Sequence, residues 1–229
     1  MRAACAVVLL LTAPARPQDD EAERVFQGMQ KRLLEAKTLR FSFAMSLEVD
    51  TREDKLKGSV ALGEANRANI GVNGTMNGKP LEMLLVSDGS RMVTKVTGAG
   101  EQGPRDTPRH TGKLIRGTLA RAGMFAGLFY SVNDKKEPAL DDLFQCSDFK
   151  IAARQKLGGK EVLVLEYSIG FRGTKEKGRV TLWVESKSLL PVKRVFTISD
   201  ASRKVRVMEV YEPMEADAQI DAKVFELPK

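Results

Sequence analysis

The sequence predicts an α+β protein, a long antiparallel sheet with helices packed on one face. Three observations carry that reading. Apolar and polar residues alternate strictly in several short runs, most clearly from Leu39 to Asp50. Turn dipeptides such as Asn77-Gly78 and Asp88-Gly89 join neighbouring runs directly. Helical spacing is confined to one segment near the N-terminus and one in the middle. Strands linked by such short turns pair antiparallel, because parallel strands need a crossover of a dozen residues or more.

The chain begins with Arg2, an apolar run from Ala3 to Leu11, and the small residues Ala13-Pro14-Ala15. That order is the pattern of a secretory leader. Residues 1–15 are therefore expected to be cleaved, leaving 16–229 as one exported domain. The run is well short of the roughly 20 apolar residues that span a bilayer. Cleavage would take Cys5 with it and leave Cys146 as the only thiol, so no internal disulfide is expected. In its Leu143-Phe144-Gln145 context Cys146 reads as a packed side chain.

A helix is predicted over Asp20 to Thr38, with Ala22, Val25, Phe26, Met29, Leu33 and Ala36 on one face. The period then drops to two. Phe41, Phe43, Met45, Leu47 and Val49 alternate with Arg40, Ser42, Ala44, Ser46 and Glu48, giving a strand with one buried and one wet face. Strands follow over Leu56–Leu62, Arg67–Met76, Leu81–Val86 and Arg91–Val96. Thr97 to Thr111, rich in Gly and Pro, reads as a loop. Lys113 to Phe129 has helical periodicity, with Ile115, Leu119, Ala122, Phe125, Ala126 and Phe129 on one side and Lys113, Arg116 and Ala120 across from them. Gly117, Gly123 and Gly127 fall mainly on the outer side, so a mobile cover and a permanently packed helix are both open readings. Further strands are expected at Phe149–Lys156, Glu161–Phe171, Val180–Glu185, Val192–Ser199 and Val205–Tyr211, with Gln219–Leu227 as a final edge strand.

Several chemistries lack their residues. His110 is the only histidine, so an imidazole-built metal site is excluded and no Ser-His-Asp arrangement has a nucleophile elbow. Gly98 to Gly103 matches G-x-G-x-x-G by letter, but Pro104 and Pro108 follow where a dinucleotide site needs a helix. Asp141 and Asp142 are adjacent, and neighbouring carboxylates rarely share a substrate. There are 37 Lys plus Arg against 30 Asp plus Glu, a formal charge of +7 that falls by one with Arg2. These charges are dispersed rather than clustered with aromatic or Gly motifs, which argues against nucleic acid and fits encounter with anionic surfaces better. Neither an enzyme activity, nor a cofactor, nor a metal is expected.

Val180-Thr181-Leu182-Trp183-Val184-Glu185, Leu190-Pro191-Val192-Lys193-Arg194 and the closing Val224-Phe225-Glu226-Leu227-Pro228 resemble the LolA-like family of periplasmic lipoprotein carriers and relatives. Leu84-Leu85-Val86-Ser87-Asp88-Gly89 adds to the likeness. The resemblance implies an incomplete antiparallel β-barrel of about ten or eleven strands. The N-terminal helix and the insertion at 97–138 would cover its apolar face. It implies a periplasmic protein that holds the acyl chains of lipids or lipoproteins. On that reading Phe41, Phe43, Met45, Leu47, Val49, Ile115, Leu119, Phe125 and Phe129 line the lipid site. The implied partners are the cargo and a transient membrane-protein partner, with the chain working as a monomer. A second reading is an envelope sensor or protein-interaction module on the same scaffold. The apolar face can equally be filled by the protein's own helices as a dry core.

Overall fold

The computed structural model describes residues 17–129, 139–173, 177–199 and 204–228. The leader expected over residues 1–15 lies outside them. The elements run α1 (Pro17–Glu35), β1 (Leu39–Val49), β2 (Arg52–Leu62), β3 (Arg67–Met76), β4 (Lys79–Asp88), β5 (Arg91–Val96) and β6 (Gly100–Asp106). They continue with α2 (Thr111–Arg121), α3 (Met124–Phe129), α4 (Leu140–Leu143), β7 (Phe144–Leu157), β8 (Lys160–Phe171), β9 (Lys177–Glu185), β10 (Pro191–Ser199) and β11 (Lys204–Ala216), then a 3-10 turn at Ala222–Phe225.

All eleven strands form one antiparallel sheet in the order β6-β5-β4-β3-β2-β1-β11-β10-β9-β8-β7. It is open rather than closed into a barrel. Two meanders meet where the first strand pairs the last, with Phe43 opposite Tyr211 and Leu47 opposite Val207. Every other neighbour in the sheet is also a neighbour in sequence, as short turns require. At the Asn77-Gly78 turn both residues have positive φ, 54° and 71°. The turn is secured from outside the hairpin, since the buried Asp54 carboxylate accepts from the backbone N–H of Asn77 (3.0 Å) and Gly78 (2.9 Å). Those two N–H groups and the adjacent Arg52 hold the Asp54 carboxyl below the usual carboxylate range, against the opposing effect of burial.

Alternation gives the sheet an inner face, buried beneath the helices, and an outer face. α1 lies against β7, with Phe26, Phe149 and Tyr167 in mutual ring contact at 4.8 to 5.5 Å. The 3-10 turn covers part of the outer face of β3 and β4, where Asn69 donates to the Val224 carbonyl and Arg67 stacks over Phe225.

Three sequence expectations are corrected. The loop placed at Thr97 to Thr111 contains a strand, β6, whose seven residues are all exposed. It carries no buried face, so alternation could not reveal it. The tail is a 3-10 turn rather than an edge strand, because Asp221 caps it through the Lys223 N–H. The helix expected over Lys113 to Phe129 is two helices that break at Gly123, whose φ is +93°.

Candidate functional site

The nine residues expected to line an apolar site fall into three groups. Phe41, Phe43, Met45 and Leu47 from β1 are buried on the inner face, in one cluster with Ile115 and Leu119 from α2. Val49 and Phe125 are partly buried and pack against that cluster. Phe129 ends α3, and its side chain lies outside the described set. Strand and helix thus bring their apolar faces together, as the two periods demand.

α2 departs from the expected amphipathic helix. Lys113 is exposed, but Arg116 and Ala120, expected across from the apolar stripe, are both buried. Arg116 Nη1 donates to the Gly112 carbonyl (3.3 Å), and Nη2 to those of Gly63 (3.3 Å) and Lys37 (3.4 Å). Burial lowers the pKa of this guanidinium. Gly117 is not on an open outer side either. A Cβ there would meet Leu140 at 2.4 Å, so its absence lets α4 approach α2 closely.

Around Gly123 the inner face carries a buried polar cluster. Arg194 on β10 donates from Nη1 to the Leu119 carbonyl (2.7 Å) and from Nη2 to that of Ala120 (2.8 Å). It thereby meets two of the carbonyls that the end of α2 leaves without helical donors. Directly opposite in the ladder, Glu209 on β11 accepts from the backbone N–H of Met124 (3.1 Å) and Phe125 (2.7 Å), where α3 begins. Glu209 also accepts from the Tyr211 hydroxyl, and the Tyr167 hydroxyl donates to the Arg121 carbonyl (2.6 Å). Each charge faces the helix end whose dipole it complements. A Cβ at position 123 would lie 2.3 Å from Glu209 Oε2 and 2.9 Å from Arg194 Nη1, so the break and its two clamps are built for glycine.

The cluster perturbs its own groups. Burial alone would lower the pKa of Arg194, but Tyr167, Tyr211 and Glu209 outweigh it and hold it above the usual arginine value. Burial, then the Glu209 charge, raises the Tyr211 phenol well above its ordinary value. The Cys146 thiol is pushed up to about 11 by burial, with Arg121 and Arg194 pulling the other way. A thiol so shifted is a poor nucleophile at neutral pH. Among the described residues no group of three or more His, Cys, Asp or Glu is placed to hold a metal ion.

Neither Arg194 nor Glu209 was singled out from sequence. A signal was present: Arg194 shares a strand face with Phe196 and Ile198, and Glu209 sits between Val207 and Tyr211 on an otherwise apolar face. Arg40, the second residue of β1, is exposed and pairs with Glu215 at 2.5 Å. A groove of about 1290 Å³ runs along β2 to β5 and has a mixed lining: polar Ser42, Lys57, Asn73 and Glu82 stand beside Phe43 and Val72 of the apolar cluster and Leu81 and Met83 that pack against it.

Among solved structures, the chain is similar to LprF from Mycobacterium bovis, at 14% identity over 88% of this chain and 96% of that one, with a TM-score of 0.50. It is also similar to the lipoprotein LppX from Mycobacterium tuberculosis (11% identity, 90% and 100% covered, TM-score 0.46). A third match is the LolA superfamily protein NE2245 from Nitrosomonas europaea (14% identity, 90% and 97% covered, TM-score 0.37). No family model and no curated protein matches the sequence. The likeness is therefore one of architecture alone, a fold shared with LprF.

Proposed function

We propose that this chain is an exported binding or carrier protein that holds the acyl chains of a lipid or lipid-modified protein against the inner face of its sheet. It would act as a monomer in the periplasm and perform no covalent chemistry on its cargo. The single observation that carries the reading is the apolar cluster formed by β1, α2 and α3. Met76, Leu81, Met83, Phe125, Phe196 and Ile198 pack against this cluster but are only partly buried. Such partly covered apolar side chains leave surface that a chain of methylenes can join, each buried methylene contributing about 0.8 kcal/mol.

Arg194 and Glu209 would hold the cover shut at its midpoint, with Gly123 as the hinge. The test is mass spectrometry of organic extracts from protein purified under native conditions, followed by transfer of a labelled fatty acid to acceptor vesicles. Acyl material that is released to the vesicles is expected. Protein that is free of lipid and binds no fatty acid, with residues 111–129 as protected from hydrogen exchange as the central strands, would overturn the proposal. If that lipid-free protein instead formed a stable complex with a protein partner, the sensor reading would replace it.

A further inference from the structure

The edge strand β6 covers β5 without burying anything of its own. All seven of its residues are exposed. None is β-branched or aromatic, the residue types that favour strands. A bulge sets Gly103 and Pro104 together against Val93, which breaks the ladder midway, and Pro104 has no N–H to give it. The strand beneath is of the opposite kind. β5 holds the β-branched Val93, Thr94 and Val96, and its Met92 and Val93 are only 1% and 3% exposed. A strand-forming edge is thus capped by a poor strand former.

Both ends of β6 are anchored just outside the strand. At one, the Thr97 N–H donates to the Glu82 carbonyl (2.9 Å), and the Thr97 hydroxyl accepts from the Glu82 N–H (2.8 Å). At the other, the Thr107 N–H donates to the Ser90 carbonyl (2.8 Å), and the Thr107 and Ser87 hydroxyls lie 2.8 Å apart. Between these anchors, Arg91 Nη2 donates to the Pro104 carbonyl (3.0 Å) and Lys95 pairs with Glu101 at 2.7 Å, both at exposed positions. An exposed ion pair contributes little stability, but it can fix register. Here the pattern is regular. Glu101 stands opposite Lys95 and Asp106 opposite Arg91, so each acid of β6 faces a cation of β5.

We propose that β6 is a displaceable strap, and that the β5 edge it guards receives an extended segment of a partner protein. That segment carries β-branched residues, with acidic residues opposite Arg91 and Lys95. Such a strand keeps the charge pattern of β6 and makes the ladder without the bulge, so it competes for the edge by strand addition. Residues 98–106 then swing out between the anchors at Thr97 and Thr107. The surface does not rest on the acyl-chain reading, since it uses a sheet edge rather than the inner face.

The probe is a fluorescent six-residue peptide that runs antiparallel to β5, with glutamate second, aspartate sixth, and threonine or valine elsewhere. A control peptide has lysine at both acidic positions. Fluorescence anisotropy with the full chain should show saturable binding of the acidic peptide, about tenfold or more tighter than the control. Glu101→Lys sets two cations face to face and loosens the strap, so it should tighten that binding several-fold. Glu101 is exposed, so the variant should retain the parent circular dichroism. Hydrogen exchange reads the strap without any peptide: amides of residues 101–106 should exchange about a hundredfold or more faster than those of β3. No saturable binding of the acidic peptide, equal binding of the two peptides, a Glu101→Lys variant that binds no more tightly than the parent, or a strap protected as deeply as β3 would each overturn the proposal. Fatty-acid binding, measured separately, is unaffected by any of these results.

Discussion

The two ends of the inner face are built differently. At the α2 end, Leu39, Leu62, Ala68, Met92 and Leu119 are almost fully buried, and the helix above them is tied down by guanidinium-to-carbonyl bonds from Arg116 and Arg194. At the α3 end Phe125 is only partly buried, as are Met76, Leu81, Met83 and Phe196 elsewhere against the cluster, and the described tie of α3 is the Glu209 carboxylate on two N–H groups. The hydrophobic effect acts at both ends, but it has no direction. Position along the sheet is set by the hydrogen bonds, which are directional and costly to leave unmade. Opening is therefore expected to begin at α3 and to stop at Gly123.

The largest expected effect tests the face itself. Phe43→Asp should cost more than about 3 kcal/mol, since it both removes a buried ring and buries a carboxyl. Ser42→Asp, one residue along on the exposed face, should cost under about 0.5 kcal/mol. Urea unfolding of the pair measures the difference. Equal tolerance would show that β1 has the wrong register.

Next comes the clamp at the boundary between the two ends. Glu209→Gln leaves the Arg194 charge buried without its counter-charge and should destabilise by about 3 kcal/mol. Hydrogen exchange should accelerate over residues 124–129 more than over 111–118. Uniform acceleration across both helices would erase the proposed distinction between the ends.

A smaller effect is expected where the cluster is only partly covered. Phe125→Ser should cost about 1 kcal/mol, because the ring is only partly buried, yet should weaken fatty-acid binding by tenfold or more. A stability loss with unchanged binding would move the binding surface elsewhere.

The smallest effect is that of pH. The carboxyls of Asp54, Asp88 and Asp217 are held below the usual carboxylate range, chiefly by the Gly78 N–H at Asp54, the Arg91 N–H at Asp88 and the Arg32 side chain at Asp217. A depressed carboxylate contributes stability above its unfolded pKa and loses it as pH falls through the folded one. Thermal denaturation should thus be flat with respect to these groups near neutrality and fall below about pH 4. Asp54→Asn should remove part of that slope. Asp54 secures the β3–β4 hairpin beside Met76, two strands across the sheet from β11.

Most of the strand pattern was legible in the sequence, and the reason is visible residue by residue. Phe41 to Val49 alternates because one face of β1 is wet, and a period of two can arise from little else. Asn77-Gly78 announces its turn because both residues adopt positive φ. The exposed strand β6 was hidden because it buries nothing. The break at Gly123 was hidden because the flanking apolar residues keep helical spacing on both sides.

By itself, then, the amino-acid order determined the fold class, the hairpin connections and the side of β1 that is buried, all of which follow from local periodicity and turn chemistry. Tertiary structure alone decided that β1 pairs with β11, since their partners are separated by more than 150 residues. It also decided that Arg116 is buried, because three carbonyls from separate segments converge on it. The pairing of Arg194 and Glu209 with opposite sides of one helix break is of the same kind. Satisfying a buried charge depends on where distant backbone groups arrive, and no local pattern encodes that.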